Sequence, residues 1–586
     1  MRFAALALAV LLARVAPAAQ PAIEGYADYA AFHTRLEKIA ESKLVELESL
    51  GRTLGGRDIF LLRVGKRPVD KKPAILVVGS VHPPHLVGSE LAVRMAERAV
   101  AEAADPAAGQ WLDRVTLYII PRPAPDAAEA FFRPPYAERT VNERPMDDDG
   151  DGQIDEDGAD DLNGDGVISQ MRVEDPAGKY RLHPGDDRVL IEIDAKKREL
   201  GRYSLYAEGR DDDSDESPDE DPAGGVAFNR NFPFEYPYYE RDAGPFPVSE
   251  IEARAVIDFA LSHNNIAAVF TFTPEDNLCH PWQPDAAAEQ SRIKTSVLPA
   301  DAPYYGELAS AYREIHGGKE APESPAAKGS FARWAYFQYG RWSLAARAWW
   351  IPLVEETKDS QAPAEPAAAA PLAANAAPAT SAAPTAELAN ANASADNEKD
   401  KKRGAEDLNA LRWFAQQQID GFVPWKAIEH PDFPHRKVEI GGFRPFVRTN
   451  PPAKELDPLG EVHLRYVRRL AEMLPVLAIR DAKAESLGGG VVRVTVTVAN
   501  DGKLPTMPAM GRANESPQPL QAELKLPRGA VLVEGPARRR LDPIAAGGLS
   551  EPTWLVALGK AKSSEIGVRV WSPSVGEAVA KAKAAQ

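Results

Sequence analysis

The order of apolar and polar residues along the chain predicts strands that alternate with helices. Ala74–Val81 and Val115–Ile120 are continuous apolar runs, which are typical of strands covered on both faces. Ser89–Val100, between them, has helical periodicity. The same patterns predict strands at Arg57–Val64, Ile266–Phe272 and Trp342–Trp350, and helices at Tyr29–Ile39, Glu250–Ser262, Tyr304–His316, Glu406–Ile419 and Leu459–Leu474. This alternation predicts an α/β domain over residues 24–474, with a mostly parallel mixed sheet and helices on both faces.

Beyond Pro475 the pattern changes to short runs separated by glycine and proline. Alternation of apolar and polar residues is typical of strands that bury one face. The runs are Val491–Val498, Leu520–Leu526, Trp554–Leu558 and Ile566–Trp571. They predict a small C-terminal β-sandwich over residues 475–586.

Two segments differ in composition from both domains. Residues 1–19 have a short basic start, an apolar core and a small-residue end, which is the pattern of a secretory signal peptide; a buried N-terminal helix is the alternative. Residues 361–402 are dominated by alanine and proline and predict a disordered insert. No later run reaches the roughly 20 apolar residues that span a bilayer. We therefore expect an exported protein without a membrane span, located in the periplasm or outside the cell.

Composition restricts the chemistry further. The single cysteine, Cys279, excludes an internal disulfide framework. The net charge is −17, and it is concentrated: Asp147–Asp161 holds nine acids and no base, and Asp211–Asp221 holds eight acids and no base. These two short segments account for the whole excess, so the remaining surface is balanced. A balanced surface argues against nucleic acid as a partner.

The acidic stretch 143–222 places side-chain oxygens at alternate positions in three places. Ca²⁺ takes roughly six to eight oxygen ligands, which loops of this spacing can supply, and Gly152 and Gly166 permit sharp turns. None of the three has a glutamate at the twelfth loop position, so complete EF-hands are excluded; a solvated acidic loop without a cation is the alternative. The predicted calcium ligands are Asp147, Asp149, Asp151, Asp155, Asp161, Asn163, Asp165, Asp211, Asp213, Asp215 and Asp219.

Five motifs stand out between Tyr26 and Leu474. They are SLGRTLGGRDIFLLRVG, HPPHLVGSE, GGVAFNRNFP, GPFPVSEIEARAV and VEIGGF. Together they resemble the zinc carboxypeptidase (carboxypeptidase A-like) family, in its bacterial secreted branch with Asp-rich insertions. The resemblance implies an α/β sheet with a zinc site at strand ends, where loops converge on a peptide substrate.

The resemblance also assigns positions to the zinc site, and most of them hold other residues. The family's first two ligands lie in a His-x-x-Glu motif; here His82 fits, and His85 stands at the glutamate position. The third ligand is a histidine at the end of a strand, where the alignment places Thr273 or, as the alternative, Thr271. The glutamate that acts as general base corresponds to Arg347.

These substitutions remove what zinc-dependent hydrolysis requires. A catalytic zinc needs three protein ligands and an open position for water, and a threonine hydroxyl is a poor third ligand. A guanidinium cannot accept the proton of a zinc-bound water. At about 6 Å and an effective dielectric constant of about 20, Arg347 would also repel the dication by on the order of 5 kcal/mol. We therefore expect a catalytically degenerate site in which His82 and His85 are hydrogen-bonded in a polar cleft.

Asn229 and Arg230 match the family's pair that holds the C-terminal carboxylate of the substrate. A planar guanidinium suits this task because it can bind a carboxylate through two parallel hydrogen bonds. Arg139 or Arg144 could supply a second arginine. The alternative for Arg230 is an internal ion pair with the acidic loops.

The sequence thus predicts an exported carboxypeptidase-like protein that binds a peptide or protein C-terminus and has calcium as a cofactor. One alternative is an active metallocarboxypeptidase that keeps zinc through a rearranged site containing His280, Cys279 or Asp276. The other is a scaffold that acts through its C-terminal sandwich. Zinc content and hydrolysis of peptides separate the first two hypotheses.

Overall fold

The computed structural model describes residues 24–148, 150–213, 218–219, 221–317, 321–325, 327–354, 404–559 and 565–584. The predicted signal peptide (1–19) and the Ala/Pro-rich insert (361–402) lie outside these residues, as do Asp149 and Asp215 of the predicted calcium ligands.

The strands in the described residues are β1 (Val45–Arg52), β2 (Asp58–Val64), β3 (Ala74–Val78), β4 (Thr116–Ile120), β5 (Gln170–Glu174), β6 (Tyr180–His183), β7 (Asp186–Glu192), β8 (Tyr203–Ala207), β9 (Ile266–Phe272), β10 (Trp342–Ala346), β11 (Phe422–Ile428), β12 (Val438–Phe443), β13 (Leu477–Gly488), β14 (Val491–Asn500), β15 (Gln521–Lys525), β16 (Val531–Glu534), β17 (Arg538–Arg540), β18 (Leu549–Ser550), β19 (Thr553–Ala557), β20 (Glu565–Ser572) and β21 (Gly576–Ala584). The α-helices are α1 (Tyr29–Ala40), α2 (Val87–Glu102), α3 (Trp111–Arg114), α4 (Pro125–Glu129), α5 (Ile251–Ser262), α6 (Ala286–Gln290), α7 (Ala302–His316), α8 (Phe331–Phe337), α9 (Ala405–Gln417), α10 (Ala453–Met473) and α11 (Ala509–Asn514).

The central sheet has the strand order β1-β2-β4-β3-β9-β10. β3 runs parallel to β4 and β9, and β9 runs parallel to β10, whereas β1 and β2 pair antiparallel at one edge. Every residue of β3, β4, β9 and β10 is buried, which requires cover on both faces of the sheet. The predicted α/β class with a mostly parallel mixed sheet is confirmed.

The elements of this domain differ from the prediction at several boundaries, and two of these have a clear cause. α10 begins at Ala453 rather than Leu459 and contains Pro458, which supplies no N–H to the helix but does not end it. β10 ends at Ala346 rather than Trp350, because Ala348 has a φ of +72°, which a regular strand does not adopt. Among the described helices, none is both long and apolar enough to cross a bilayer.

A second sheet, with the order β11-β12-β5-β8-β6-β7, is absent from the predicted elements. Four of its strands, β5 to β8, lie within the acidic stretch 143–222, for which the sequence pattern predicts calcium-binding loops and no strands. Their pattern is hard to recognise because they are short and carry many charged residues on partly exposed faces. Pairing of β5 with β12 ties this stretch to a distant part of the chain.

The C-terminal strands form a sheet with the order β16-β19-β14-β13-β21-β20-β15-β17, and β18 pairs with β14. Its two halves meet where β13 runs parallel to β21, and their apolar faces share one core that contains Val494, Trp554 and Val568. This is the predicted β-rich C-terminal fold. It docks on the central domain through α11, because Met510 belongs to the central core and Asp301 accepts hydrogen bonds from the backbone N–H groups of Ala509 and Met510 at 2.8 and 3.1 Å.

Candidate functional site

The candidate site lies where the carboxyl ends of β3 and β9 meet. Because these strands are parallel neighbours, the segments that follow them emerge at the same edge of the sheet. A cavity of about 240 Å³ opens there. The polar residues that line it are His82, Thr140, Asn229, Arg230, Asp242, Thr273 and Glu275. The structure therefore brings four of the predicted site residues together.

His82 and His85 are adjacent and buried. Their ring centroids are 5.3 Å apart with an angle of 57° between the ring planes. Burial lowers the pKa of His82 to about 4. The pKa of His85 also lies well below its usual value, because of burial first and of the neighbouring His82 and Arg347 second. Both imidazoles are neutral at pH 7, and Nδ1 of His85 is buried without a hydrogen-bond partner.

Thr273, rather than Thr271, faces the cavity. The hydroxyl of Thr271 donates to the carbonyl oxygen of Val78 at 3.0 Å, so it is engaged within the sheet. The backbone of Thr273 is held by Ala346 at 3.0 Å, and its Oγ1 is buried without a hydrogen-bond partner. The sequence alone left these two threonines open.

Arg347 lies just beyond the end of β10, near His85. Its backbone N–H donates to Asp276 Oδ2 at 3.1 Å, and its Nη2 donates to the carbonyl oxygen of Glu323 at 3.2 Å. Burial lowers the pKa of Arg347, and its charge contributes to the lowered pKa of His85. The position aligned with the family's general base therefore holds a cation beside the histidine pair.

The residues present do not fit a zinc ion. Within the described ranges, the groups of three or more histidine, cysteine or acidic side chains with converging ligand atoms lie in the acidic segments, and none includes His82. Cys279 is not among the residues that line the cavity, and burial raises the pKa of its thiol to about 12. Asp276 accepts hydrogen bonds from three backbone N–H groups, and His280 Nε2 lies 3.0 Å from the carbonyl oxygen of Pro322.

Asn229 and Arg230 both line the cavity but already have protein partners. Asn229 donates to Glu275 Oε1 at 3.1 Å and accepts from the backbone N–H of Phe331 at 3.0 Å. Arg230 donates from Nε to Asp242 Oδ1 at 2.5 Å and from Nη2 to Glu240. In the described part of the chain no hydrogen bond involves its Nη1, which leaves two N–H donors for a ligand.

The two other arginines considered from the sequence lie elsewhere. Arg139 donates to the backbone carbonyl oxygens of Val141 and Asn142 at 3.2 and 2.9 Å. Arg144 forms an ion pair with Glu250 at 3.1 Å. Neither belongs to the residues that line the His82 cavity.

Glu275 is a site residue that the sequence analysis missed. It is 6% exposed, and Ser330 Oγ donates to its Oε2 at 3.1 Å. Burial raises its pKa to about 7. Its position in the sequence, directly beyond the end of β9, could have identified it. Residues at the carboxyl ends of parallel strands often line ligand-binding sites.

The predicted calcium ligands within the described residues fall into three sets. Asp147, Asp155, Asp161, Asn163 and Asp165 accept backbone N–H hydrogen bonds within or next to their own loops. Asp151, which accepts from the backbone N–H of Gln153 at 2.6 Å, contributes together with Asp211 and Asp213 to two groups of converging carboxylates, one completed by Glu156 and the other by Asp157. Asp219 has both carboxylate oxygens buried without a hydrogen-bond partner. Burial and the charge of Asp157 raise its pKa to about 7.

Comparison with known proteins supports the family resemblance for part of the chain. A family profile described as zinc carboxypeptidase matches residues 33–157, and one described as a domain of unknown function (DUF8731) matches residues 476–583. Carboxypeptidase M of Mus musculus is 29% identical over 105 residues, which make up 17% of this chain and 24% of that protein. The chain thus spans about a quarter of the length of this curated relative. The resemblance is confirmed for the part that contains His82 and His85; Thr273 and Arg347 lie outside the matched residues.

Several solved carboxypeptidase structures are similar to parts of the chain. Carboxypeptidase A from Helicoverpa armigera is 13% identical, with 54% of this chain and 63% of that chain covered and a TM-score of 0.32. Bovine thrombin-activatable fibrinolysis inhibitor, in complex with tick carboxypeptidase inhibitor, is 15% identical, with 55% and 85% covered and a TM-score of 0.32. A metallo-carboxypeptidase from Pseudomonas aeruginosa is 30% identical over 16% of this chain and 25% of that chain, with a TM-score of 0.15.

Proposed function

We propose that this zinc-carboxypeptidase-like chain is catalytically degenerate and binds the C-terminal carboxylate of a peptide without hydrolysing it. The observation that carries the proposal is the position of Arg347, a cation beside His85 where the family resemblance places the catalytic glutamate. A carboxylate there would attract a metal and accept a proton, and a guanidinium does neither.

The donor set supports the loss of hydrolysis. His82 and His85 supply two neutral imidazoles, but the third position is held by the hydroxyl of Thr273. A zinc ion would lower the pKa of a bound water and make that water a strong nucleophile. Without the metal, water remains a weak nucleophile, even beside the one remaining acid deep in the cavity. That acid, Glu275, is also restrained by hydrogen bonds from Asn229 and Ser330.

Arg230 supports binding of a carboxylate. Asp242 and Glu240 hold its guanidinium through Nε and Nη2, which fixes its direction, and Nη1 remains for a ligand. The same two acids lower the attraction for a second negative group, so we expect modest affinity. The neighbouring neutral imidazole of His82 adds a hydrogen-bonding group without a competing charge.

Three measurements on the purified full chain test the proposal. We expect less than stoichiometric zinc after dialysis, no release of C-terminal residues from peptide mixtures, and calorimetric binding of peptides with a free C-terminus but not of their amidated forms. Arg230→Ala should abolish this binding. Arg202→Ala, which removes an exposed arginine paired with Glu174, should leave it unchanged.

The alternatives give different results. One zinc per chain together with turnover that a chelator stops would overturn the proposal in favour of an active metallocarboxypeptidase. Equal binding of free and amidated peptides would exclude carboxylate recognition. Equal binding by wild type and Arg230→Ala would place the ligand elsewhere, as a scaffold acting through residues 475–586 requires.

Export belongs to the same proposal and rests on residues 1–19, whose composition is that of a signal peptide. Cell fractionation and N-terminal sequencing of the mature protein test it. We expect cleavage within or directly after this segment; an intact N-terminus in the cytoplasmic fraction would contradict export.

A further inference from the structure

Two acidic segments that are distant in sequence meet in the structure. Asp157 and Asp221 form an antiparallel bridge, in which the backbone N–H of Asp157 donates to the carbonyl oxygen of Asp221 at 3.2 Å. Both side chains are fully buried. The bridge brings described residues of the two acidic segments together, and carboxylates from both segments converge beside it.

The converging carboxylates form two groups that share one residue. Asp151, Glu156 and Asp213 have ligand oxygens within 4.8 Å of one another, and so do Asp157, Asp211 and Asp213. Each group draws on both acidic segments. The arrangement therefore differs from three separate loops, each of which would bind a cation with its own oxygens.

Buried oxygens without partners point independently to a ligand. Asp221 is fully buried, its Oδ1 accepts from the backbone N–H of Asp148 at 3.2 Å, and its Oδ2 has no hydrogen-bond partner. Both carboxylate oxygens of Glu156, which lies beside Asp221, also lack one. A buried carboxylate costs folding free energy unless a hydrogen-bond donor or a cation compensates its charge. These oxygens are therefore candidates for ligands of a cation.

Two arginines lie near acids of these segments. Arg241 pairs with Asp148 at 3.4 Å, and Arg210 lies near Asp212. Both of these acids are outside the two converging groups. The groups themselves contain oxygen donors alone, without sulfur or imidazole, which is the donor chemistry of hard divalent cations.

We propose that calcium binds between the two acidic segments, with ligands from Asp151, Glu156, Asp157, Asp211, Asp213 and Asp221. Calcium suits the site better than magnesium, because several carboxylates from two segments fit its high and variable coordination number, whereas magnesium requires a near-ideal octahedron and retains water. The site does not depend on the proposed peptide binding.

The test uses the full chain after treatment with a chelator. Calorimetry with CaCl₂ should show saturable binding, and thermal unfolding should shift to higher temperature with Ca²⁺ and much less with Mg²⁺. Asp213→Asn and Asp221→Asn should each weaken calcium affinity about tenfold or more. Asp105→Asn, which changes an exposed acid that accepts from the backbone of Ala107, is the matched control and should bind as wild type.

Absence of saturable binding at about 1 mM calcium, the weak limit for extracellular sites, would overturn the proposal. Unchanged affinity in both Asp213→Asn and Asp221→Asn would overturn it as well, since calcium would then occupy another loop such as the one at Asp161. If these variants do not fold, limited proteolysis of the wild type decides. Calcium should protect the bonds between Asp151 and Asp157 from cleavage, and equal cleavage with and without calcium would contradict the site.

Discussion

Asp157 and Asp221 lie opposite each other in an antiparallel bridge with both side chains fully buried. Like charges that face each other across paired strands destabilise the pair. A cation between the two segments would therefore stabilise the bridge. This relationship links the acidic segments to the cavity, because Arg241 contacts Asp148 of the first segment and precedes Asp242, the partner of Arg230.

Removal of calcium should weaken peptide binding. Asp148 of the first acidic segment lines a second cavity, of about 550 Å³, which shares Asp242 with the His82 cavity. Repulsion between the segments in the absence of calcium should displace this wall and with it the support of Arg230. We expect chelation to reduce the affinity for a peptide with a free C-terminus about fivefold or more, measured by calorimetry. Asp213→Asn in calcium should behave like the chelated wild type. An unchanged peptide affinity would show that the two sites are independent.

Thr273→His should create a zinc site without creating an enzyme. The new imidazole would join His82 and His85 and complete three ligands. Thr273→Val removes the hydroxyl at nearly constant volume and is the control. We expect about one zinc per chain, by elemental analysis after dialysis, in the histidine variant alone, and no hydrolysis, because Arg347 still stands in place of a general base. Equal zinc in the valine variant and the wild type would mean that the metal is held without this position.

Ionisation of the buried carboxyl of Glu252 should make the folded protein less stable as the pH rises. Burial raises its pKa to about 7, and the nearby acids Asp126 and Glu250 add to the effect. A carboxyl with a raised pKa in the folded state holds its proton more tightly there than in the unfolded chain. Its stabilising effect is therefore complete below the unfolded pKa and is lost as the pH rises through about 7. Between pH 5 and pH 8 the wild type should therefore lose on the order of 3 kcal/mol in its free energy of unfolding through Glu252, and Glu252→Gln should remove this loss.

Chemical unfolding at several pH values measures this effect. Glu37→Gln, which changes an exposed residue of α1, is the control and should keep the pH dependence of the wild type. A Glu252→Gln variant with the same slope as the wild type would contradict the role of Glu252.

Glu90→Gln should destabilise the central domain by about 3 to 5 kcal/mol, because removal of one member of a buried ion cluster leaves the other charges uncompensated. Glu90 is fully buried and pairs with Arg35 at 2.7 Å and with Arg94 at 2.6 Å, while Arg122, also buried, lies 3.9 Å away. Glu48→Gln, at an exposed pair with Arg63, should cost about 1 kcal/mol or less. Chemical denaturation compares the two, and similar losses would contradict the importance of burial.

Asp301→Ala should loosen the C-terminal domain. Asp301 is 1% exposed, caps the start of α11 through Ala509 and Met510, and accepts from the hydroxyl of Tyr336 at 2.8 Å. Loss of these charge-assisted hydrogen bonds should cost about 3 kcal/mol.

The control for Asp301→Ala is Asp285→Ala, at an exposed cap of α6, with an expected loss of about 1 kcal/mol. Limited proteolysis near Pro475 measures how firmly the C-terminal domain is docked, and thermal unfolding measures the loss of stability. Unchanged protease resistance in Asp301→Ala would show that the docking rests on apolar contacts alone. Because Met510 belongs to the central core, deletion of residues 475–586 would expose part of that core. Point variants therefore test the scaffold alternative better than this deletion does.

The sequence by itself determined the central sheet and the residue types at the positions that the family resemblance assigns to the zinc site. An apolar run such as Ala74–Val81 predicts a central strand directly, since a strand buried on both faces must be apolar throughout. The types of the residues at the aligned positions are also sequence facts: a histidine at position 85, a threonine at 273 and an arginine at 347 limit the chemistry wherever they point.

Only the tertiary structure decided which of these groups meet. Local periodicity carries no information on contacts between distant segments, so it could not pair Asp157 with Asp221, join β5 to β12, or turn Thr273 rather than Thr271 into the cavity. The partners of Arg230 and the burial that sets the pKa of Glu275 arise in the same way. Each depends on long-range packing, which fixes distance and exposure after the elements have formed.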